Sequence, residues 1–312
     1  MSGFLGLDTS NYTTSAAYCA ADGTISQMKR LLPVKAGEMG LRQSDAVFHH
    51  TRQLPDMVEG LREQLAQGVR GIAASDRPQQ TDGSYMPCFL VGAGAARQLG
   101  AALGVPVRFF THQQGHVMAA LVGADCAAWR DKPFLAFHVS GGTTDALLVE
   151  PSKECILSCR VVGRSLDLKA GQLIDRVGGM LGLSFPAGPA LEQLALRAQG
   201  VYKPRVPVIG CDCHLSGVEN QCRDRIAKGE PPEEVARFCL DSVASALDGM
   251  TAALLAQYGE LPLVYAGGVM SNSILRARFR ETYGGRFAPP AYSADNAVGI
   301  AYLCRIAEEG EG

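Results

Sequence analysis

Two rhythms of apolar and polar positions run through this chain. Phe4 to Ser10 is an apolar run closed by small polar residues, the pattern of a buried strand. Thr13 to Tyr18 and Ile25 to Val34 continue with β-leaning composition around the turn Ala21-Asp22-Gly23, which predicts three consecutive antiparallel strands. The period then changes. Val47, Leu54, Met57, Val58, Leu61 and Leu65 recur at helical spacing, and Pro55 is expected to kink or restart that helix. A strand at Cys88 to Val91, a helix near Ala95 to Leu103, a strand at Val107 to Phe110 and a helix from His112 follow.

The first rhythm returns at Phe134. Phe134 to Val139 predicts a strand, Ser140-Gly141-Gly142 a tight turn, Thr143 to Val149 a second strand and Ile156 to Val162 a third. Asp8 to Ser15 and Val139 to Asp145 each read as strand, small-residue turn and strand, so the chain looks internally duplicated. Two βββαβα units flanking a nucleotide cleft resemble the actin, sugar-kinase and Hsp70 ATPase architecture, an α/β fold. The second half adds helical material at Lys169 to Leu181, Leu191 to Ala198, Val218 to Ala227 and Glu233 to Ala256. A buried strand at Leu263 to Ala266 and a last helix from Asn296 to Glu308 complete it. The expected domains are 1–128 and 129–312.

Composition narrows the class. A charged share of 19% beside 47% hydrophobic residues excludes a disordered or fibrous chain. No run of about 18 apolar residues stands out and the N-terminus lacks a basic region before an apolar core, so a cytoplasmic protein without a membrane role is expected. Ten scattered cysteines in such a chain read as reduced thiols. A net charge of −2 gives no global attraction for polyanions, so nucleic-acid binding needs a local basic patch or a basic partner. Arg205, Arg223, Arg225, Lys228, Arg276, Arg278 and Arg280 supply cations for such a patch, although a solvated helix face is the usual meaning of that spacing.

Several short constellations carry candidate chemistry. His112 and His116, four positions apart in a predicted helix, place both imidazoles on one face where they can share an ion, though histidines at a helix start are also ordinary surface or capping groups. A zinc peptidase is disfavoured because Gln113 stands where the general-base glutamate belongs. The turn Ser140-Gly141-Gly142-Thr143 offers backbone N–H groups to an oxyanion. Ala266-Gly267-Gly268 leads into a helix start where a nucleotide suits the geometry, and there Asn272 is also a plain helix cap. Asp295, just before the last helix, reads as an N-cap when taken alone. Cys211, Cys213, His214 and Cys222 hint at zinc, but no second cysteine pair lies at finger-like distance.

In order, these segments resemble the family that completes threonylcarbamoyl-adenosine in tRNA, the TsaD type once called O-sialoglycoprotein endopeptidase. The resemblance runs through Leu5 to Ser10, His49 with Leu54-Pro55, His112-x-x-Gly115-His116, Val139 to Gly142, Asp175 to Pro189, Ala266 to Val269 with Asn272, and Asp295-Asn296-Ala297. It implies that His112, His116 and Asp295 bind one divalent metal, iron or zinc. It further implies that His138, Val139, Ser140, Gly141, Gly142, Asp175, Gly188 and Asn272 line the pocket for an adenine nucleotide. The implied reaction transfers threonylcarbamoyl from threonylcarbamoyl-AMP to the N6 amine of the adenosine beside the anticodon and releases AMP, with no side-chain nucleophile. TsaB-like and TsaE-like proteins and tRNA are the implied partners; a homodimer stays open.

The chain also departs from that pattern. Asn11-Tyr12-Thr13-Thr14 stands where the family has Cys-Asp-Glu-Thr, Thr143 replaces a histidine and Gln114 a glutamate, and Leu168, Lys169 and Gln172 replace Asp, Ala and Glu. Losing acids and gaining a lysine near a phosphate site changes its charge balance. A diverged paralogue is therefore expected. A carbamoyl or acyl transferase acting on a small molecule, and a non-catalytic nucleotide-binding subunit, remain alternatives.

Overall fold

The computed structural model describes residues 2–10, 12–33 and 41–310. Asn11 and the Val34 end of the expected third strand lie outside them. Contacts divide the chain into two compact units. One comprises Met1–Lys132, Glu150–Cys159 and Ala291–Gly312; the other comprises Pro133–Val149 and Arg160–Pro290. This differs from the expected division at residue 128, because the C-terminal stretch returns to the first unit.

In unit 1 the strands are β1 (Gly3–Ser10), β2 (Thr13–Ala20), β3 (Ile25–Leu31), β4 (Val69–Arg77) and β5 (Val107–Thr111). Their order in the sheet is β3-β2-β1-β4-β5. β1 runs antiparallel to β2 and parallel to β4, so it sits mid-sheet with all eight residues buried. Strands covered on both faces are near-continuously apolar, which is why the opening run was legible. β4 was not expected. Its small, weakly hydrophobic run Gly71-Ile72-Ala73-Ala74 carries little β signal, and burial between β1 and β5 overrides the local preference.

Helices α1 (Gln43–Glu59), α2 (Arg62–Leu65) and α3 (Phe89–Leu103) follow. α1 runs through Pro55, and the break falls at Gly60-Leu61 instead. The stretch Cys88 to Val91, expected as a strand, is the start of α3, whose Phe89, Gly92, Ala96 and Gly100 recur at helical spacing and are buried. Leu5, Leu7, Ala16, Tyr18, Leu54, Met57 and Ile72 form the core on that face of the sheet. Helix α4 (His112–Gly123) begins directly after β5. Here Ala119 joins Ala17, Cys19, Ala297, Val298 and Ala301 in a second apolar cluster.

Unit 2 repeats the plan with β6 (Phe134–Val139), β7 (Thr144–Ser152) and β8 (Ile156–Arg164), then helices α5 (Ala170–Met180) and α6 (Gly188–Ala195). A small pair, β9 (Val208–Ile209) and β10 (Asp212–Cys213), precedes α7 (Ser216–Ala227) and α8 (Pro232–Tyr258). Strand β11 (Leu263–Ala266), helix α9 (Ser273–Tyr283) and strand β12 (Arg286–Phe287) complete unit 2, after which α10 (Pro290–Ser293) leads back to unit 1, where α11 (Val298–Glu309) ends the chain. The sheet order β12-β11-β6-β7-β8 is that of the first sheet, with the repeat's own first strand again in the middle. Tyr265 stacks between Phe137 and Phe287, each centroid 5.1 Å away, and such aromatic pairs contribute about 0.5–1.5 kcal/mol beyond their buried area. α8 is long and apolar enough to cross a membrane by length and composition, but 67% of its apolar window is buried, and it supplies much of the core of unit 2.

Candidate functional site

Helix α4 starts where β5 ends, and Thr111 caps it. Its hydroxyl accepts from the Gln114 backbone N–H at 3.1 Å, while Gln114 Oε1 accepts from the Thr111 backbone N–H at 2.8 Å. That cap fixes the first turn and brings the His112 and His116 rings together edge to face, centroids 4.3 Å apart. On the facing segment Asp295 precedes α11, and two glycines let the helices touch. A Cβ on Gly299 would stand 2.7 Å from the Gly115 carbonyl carbon and 2.8 Å from the Ala119 nitrogen. Only with hydrogen at that position does Asp295 come within reach of both histidines.

Asp295 Oδ1 lies 3.1 Å from His116 Nε2 and 3.7 Å from His112 Nε2. Its Oδ2 accepts from the Thr13 hydroxyl at 3.4 Å. Asp295 is therefore no N-cap; Asn296 Oδ1 accepts from the Val298 N–H instead. Among the described residues, His112, His116 and Asp295 are the one group of three metal-type side chains, with donor atoms all within 4.8 Å of one another. An ion about 2.1 Å from each of two donors holds them at most about 4.2 Å apart, so these side chains need to close by only about half an ångström. Two imidazoles and one carboxylate suit a borderline divalent ion and leave coordination positions open. Cys211, Cys213, His214 and Cys222 form no such group; Cys213 and Cys222 are buried in the core.

Sequence reasoning missed the residues behind this group. Asp8, 1% exposed, places Oδ2 2.8 Å from His112 Nδ1, and the Ser75 hydroxyl donates to its Oδ1. Burial pushes His112 down, but the Asp8 charge and hydrogen bond, with the Asp295 charge, raise it to about 9. Nearby, buried His50 is held well below the usual histidine range, at about 4, by desolvation, with Thr14 Oγ1 2.8 Å from its Nδ1.

In unit 2 the turn after β6 closes with Ser140 N–H donating to Thr143 O at 2.7 Å and Thr143 N–H to Ser140 Oγ at 3.2 Å. A Cβ on Gly141 or Gly142 would meet no atom within 4 Å, and neither has a positive φ. The protein itself thus demands glycine at neither position, and the open face is free for a ligand to approach the backbone. Gly171 is different. A Cβ there would strike Ser140 O at 2.6 Å and Gly141 Cα at 2.7 Å, so α5 presses directly on the turn. Val139 is buried and His138 half-buried at the end of β6.

The other expected pocket residues sit on neighbouring elements, since α5 touches both α6 and the turn at Gly268–Ser271. Asp175 Oδ1 accepts from the Ala187 N–H at 2.8 Å, which holds the loop leading to Gly188. Asn272 Oδ1 caps α9 by accepting from Ile274 and Leu275 N–H at 3.0 and 3.2 Å.

The departures have structural roles. Leu168 is in the core, Gln172 Oε1 accepts from Lys169 N–H at 3.3 Å, and Lys169 Nζ donates to Ser165 O at 2.6 Å. Gln114 Nε2 donates to Cys155 O at 3.0 Å and Leu157 O at 2.9 Å, bonds a glutamate carboxylate lacks the hydrogens to make. Of the basic residues, Arg278 is paired with Asp248, Arg223 with Glu219 and Arg225 with Glu230, while Arg276 lies 5.4 Å over Phe287. Most of that run is structural.

The model of the family described as TsaD, tRNA N6-adenosine threonylcarbamoyltransferase, matches residues 36–302. The chain belongs to the TsaD family. A tRNA N6-adenosine threonylcarbamoyltransferase of Methanopyrus kandleri is 29% identical over 278 residues, 86% of this chain and 77% of that protein. Among solved structures, the T. kodakarensis HypF superposes with a TM-score of 0.65 at 13% identity, covering 99% of this chain and 48% of that one. Component A of the Acidaminococcus fermentans (R)-2-hydroxyglutaryl-CoA dehydratase gives 0.56 at 14% identity, with 99% and 100% covered. This TsaD-family chain spans about half the length of HypF. At such identities the likeness concerns the fold alone, and with the repeated strand order it establishes the actin, sugar-kinase and Hsp70 type of ATPase fold.

Proposed function

We propose that this member of the TsaD family transfers the threonylcarbamoyl group from threonylcarbamoyl-AMP to the N6 amine of the adenosine next to the tRNA anticodon. The new C–N bond forms at the carbamoyl carbon, the C–O bond to phosphate breaks, and AMP leaves with the electron pair while the amine proton passes to solvent. The observation that carries this reading is the convergence of His112 and His116 with Asp295, 179 positions after His116, in a chain that matches the family from residue 36 to 302.

The donor set fits one divalent ion of the iron or zinc kind, held by the two Nε2 atoms and Asp295 Oδ1. When bound, such an ion polarises carbonyl and phosphate oxygens as a Lewis acid. The turn Ser140-Gly141-Gly142 offers its bare backbone to the adenylate phosphate, and preorganised N–H groups stabilise charge that develops there. Asp175 and Asn272 keep the loop before Gly188 and the start of α9 in place beside it. The reading takes TsaB-like and TsaE-like proteins and tRNA as partners and the cytoplasm as the site of action.

The test is turnover of threonylcarbamoyl-AMP by the purified chain with those partners, with AMP release and the modified nucleoside followed by mass spectrometry. Both are expected to require metal and tRNA. AMP release driven by a small amine in place of tRNA, or no turnover by metal-loaded protein, overturns the reading.

A further inference from the structure

Asp8 is buried, negatively charged and absent from the donor group, so its place needs a reason. The sheet supplies the geometry. Leu7 pairs with Ala74 in the parallel ladder, which brings Asp8 beside Ser75, and β5 on the far side of β4 hands the chain straight to His112. One carboxylate oxygen accepts from the Ser75 hydroxyl and the other lies 2.8 Å from His112 Nδ1, while His112 Nε2 faces Asp295 Oδ1 at 3.7 Å. A carboxylate accepts on both oxygens and donates on neither, so the hydrogen between Asp8 and His112 must sit on Nδ1. When the ring is neutral, its lone pair therefore lies on Nε2, toward the ion site.

We infer that Asp8, anchored by Ser75, is a positioning residue that sets the tautomer and ring orientation of His112 so that Nε2 serves as the metal donor. The inference rests on the proposed metal site and deepens it. Groups behind a metal-bound histidine orient the ring and strengthen its donor nitrogen, and their loss typically weakens metal binding about 10–100-fold. His116 Nε2 lies 3.1 Å from Asp295 Oδ1, while Asp8 bonds to His112, so the effect of Asp8 is read at His112.

The experiment uses the full chain, wild type, Asp8→Asn and Ser75→Ala. In metal-free protein at a pH where His112 is neutral, nitrogen-15 NMR of the imidazole is expected to show Nδ1–H in the wild type and a gain of Nε2–H in Asp8→Asn. Zinc titration at the same pH is expected to weaken about 10–100-fold in Asp8→Asn and less in Ser75→Ala, which keeps the carboxylate and so guards against a folding failure of the first variant. Wild-type His112 as the Nε2–H tautomer, or equal zinc affinity in wild type and Asp8→Asn, overturns the inference. Failure of the wild type to bind zinc, iron or cobalt overturns the metal site itself, a result distinct from either of those.

Discussion

The substitution Gly299→Ala tests how Asp295 is brought to the histidines. The added Cβ would overlap the Gly115 carbonyl oxygen and stand 2.7 Å from its carbonyl carbon, where two carbons in ordinary contact are about 3.5–4.0 Å apart, so α11 must withdraw from α4 by more than about 1 Å. Donor atoms already span up to 4.8 Å, against the roughly 4.2 Å that one ion tolerates. Another ångström removes Asp295 from the coordination sphere. Overpacking of this kind costs about 1–3 kcal/mol, which lowers the melting temperature by roughly 2–12 °C for a domain of this size. The expected result is a folded protein, less stable, with zinc affinity reduced to that of the His pair alone. Gly141→Ala is the control, because its Cβ meets nothing within 4 Å, and stability and metal content should not change. Wild-type zinc affinity in Gly299→Ala would refute the argument that close helix packing builds the site.

Other predictions follow from single contacts. Metal binding needs a neutral His112, whose pKa is raised to about 9, so affinity should rise about tenfold per pH unit from pH 6.5 and level off near 9; titration calorimetry across that range checks it. The same shift, upward from the ordinary histidine value, stabilises the metal-free fold fully below about pH 6.5 and is lost as pH rises through 9. Asp175→Ala removes the acceptor for Ala187 N–H and should weaken binding of an AMP analogue while leaving metal content unchanged; equal affinity by calorimetry rejects the role. Gln114→Glu keeps an oxygen for the Thr111 cap but loses both donations to Cys155 O and Leu157 O, so hydrogen exchange should quicken in residues 152–158.

Much of the fold was legible because its period is local. The opening strand, the Gly-Gly turn after β6, the long core helix and their duplication follow from runs and spacings within about twenty residues, where burial on two faces or one leaves a readable rhythm. β4 escaped because a central strand of alanines and glycine is held by its neighbours, and the strand expected at Cys88 was drawn into α3 by the same sheet. Helical spacing marked His112 and His116, and the family pattern marked Asp295. The sequence alone, however, left each with a bland reading as a surface or cap residue. Tertiary structure decided between the readings. Helix α11 returns to the first unit through a Gly115–Gly299 contact, and the β1–β4–β5 ladder aligns Asp8 and Ser75 with His112. Neither relation has a sequence period, since a distance of a few ångströms between residues far apart in the chain is set by packing, not by local propensity.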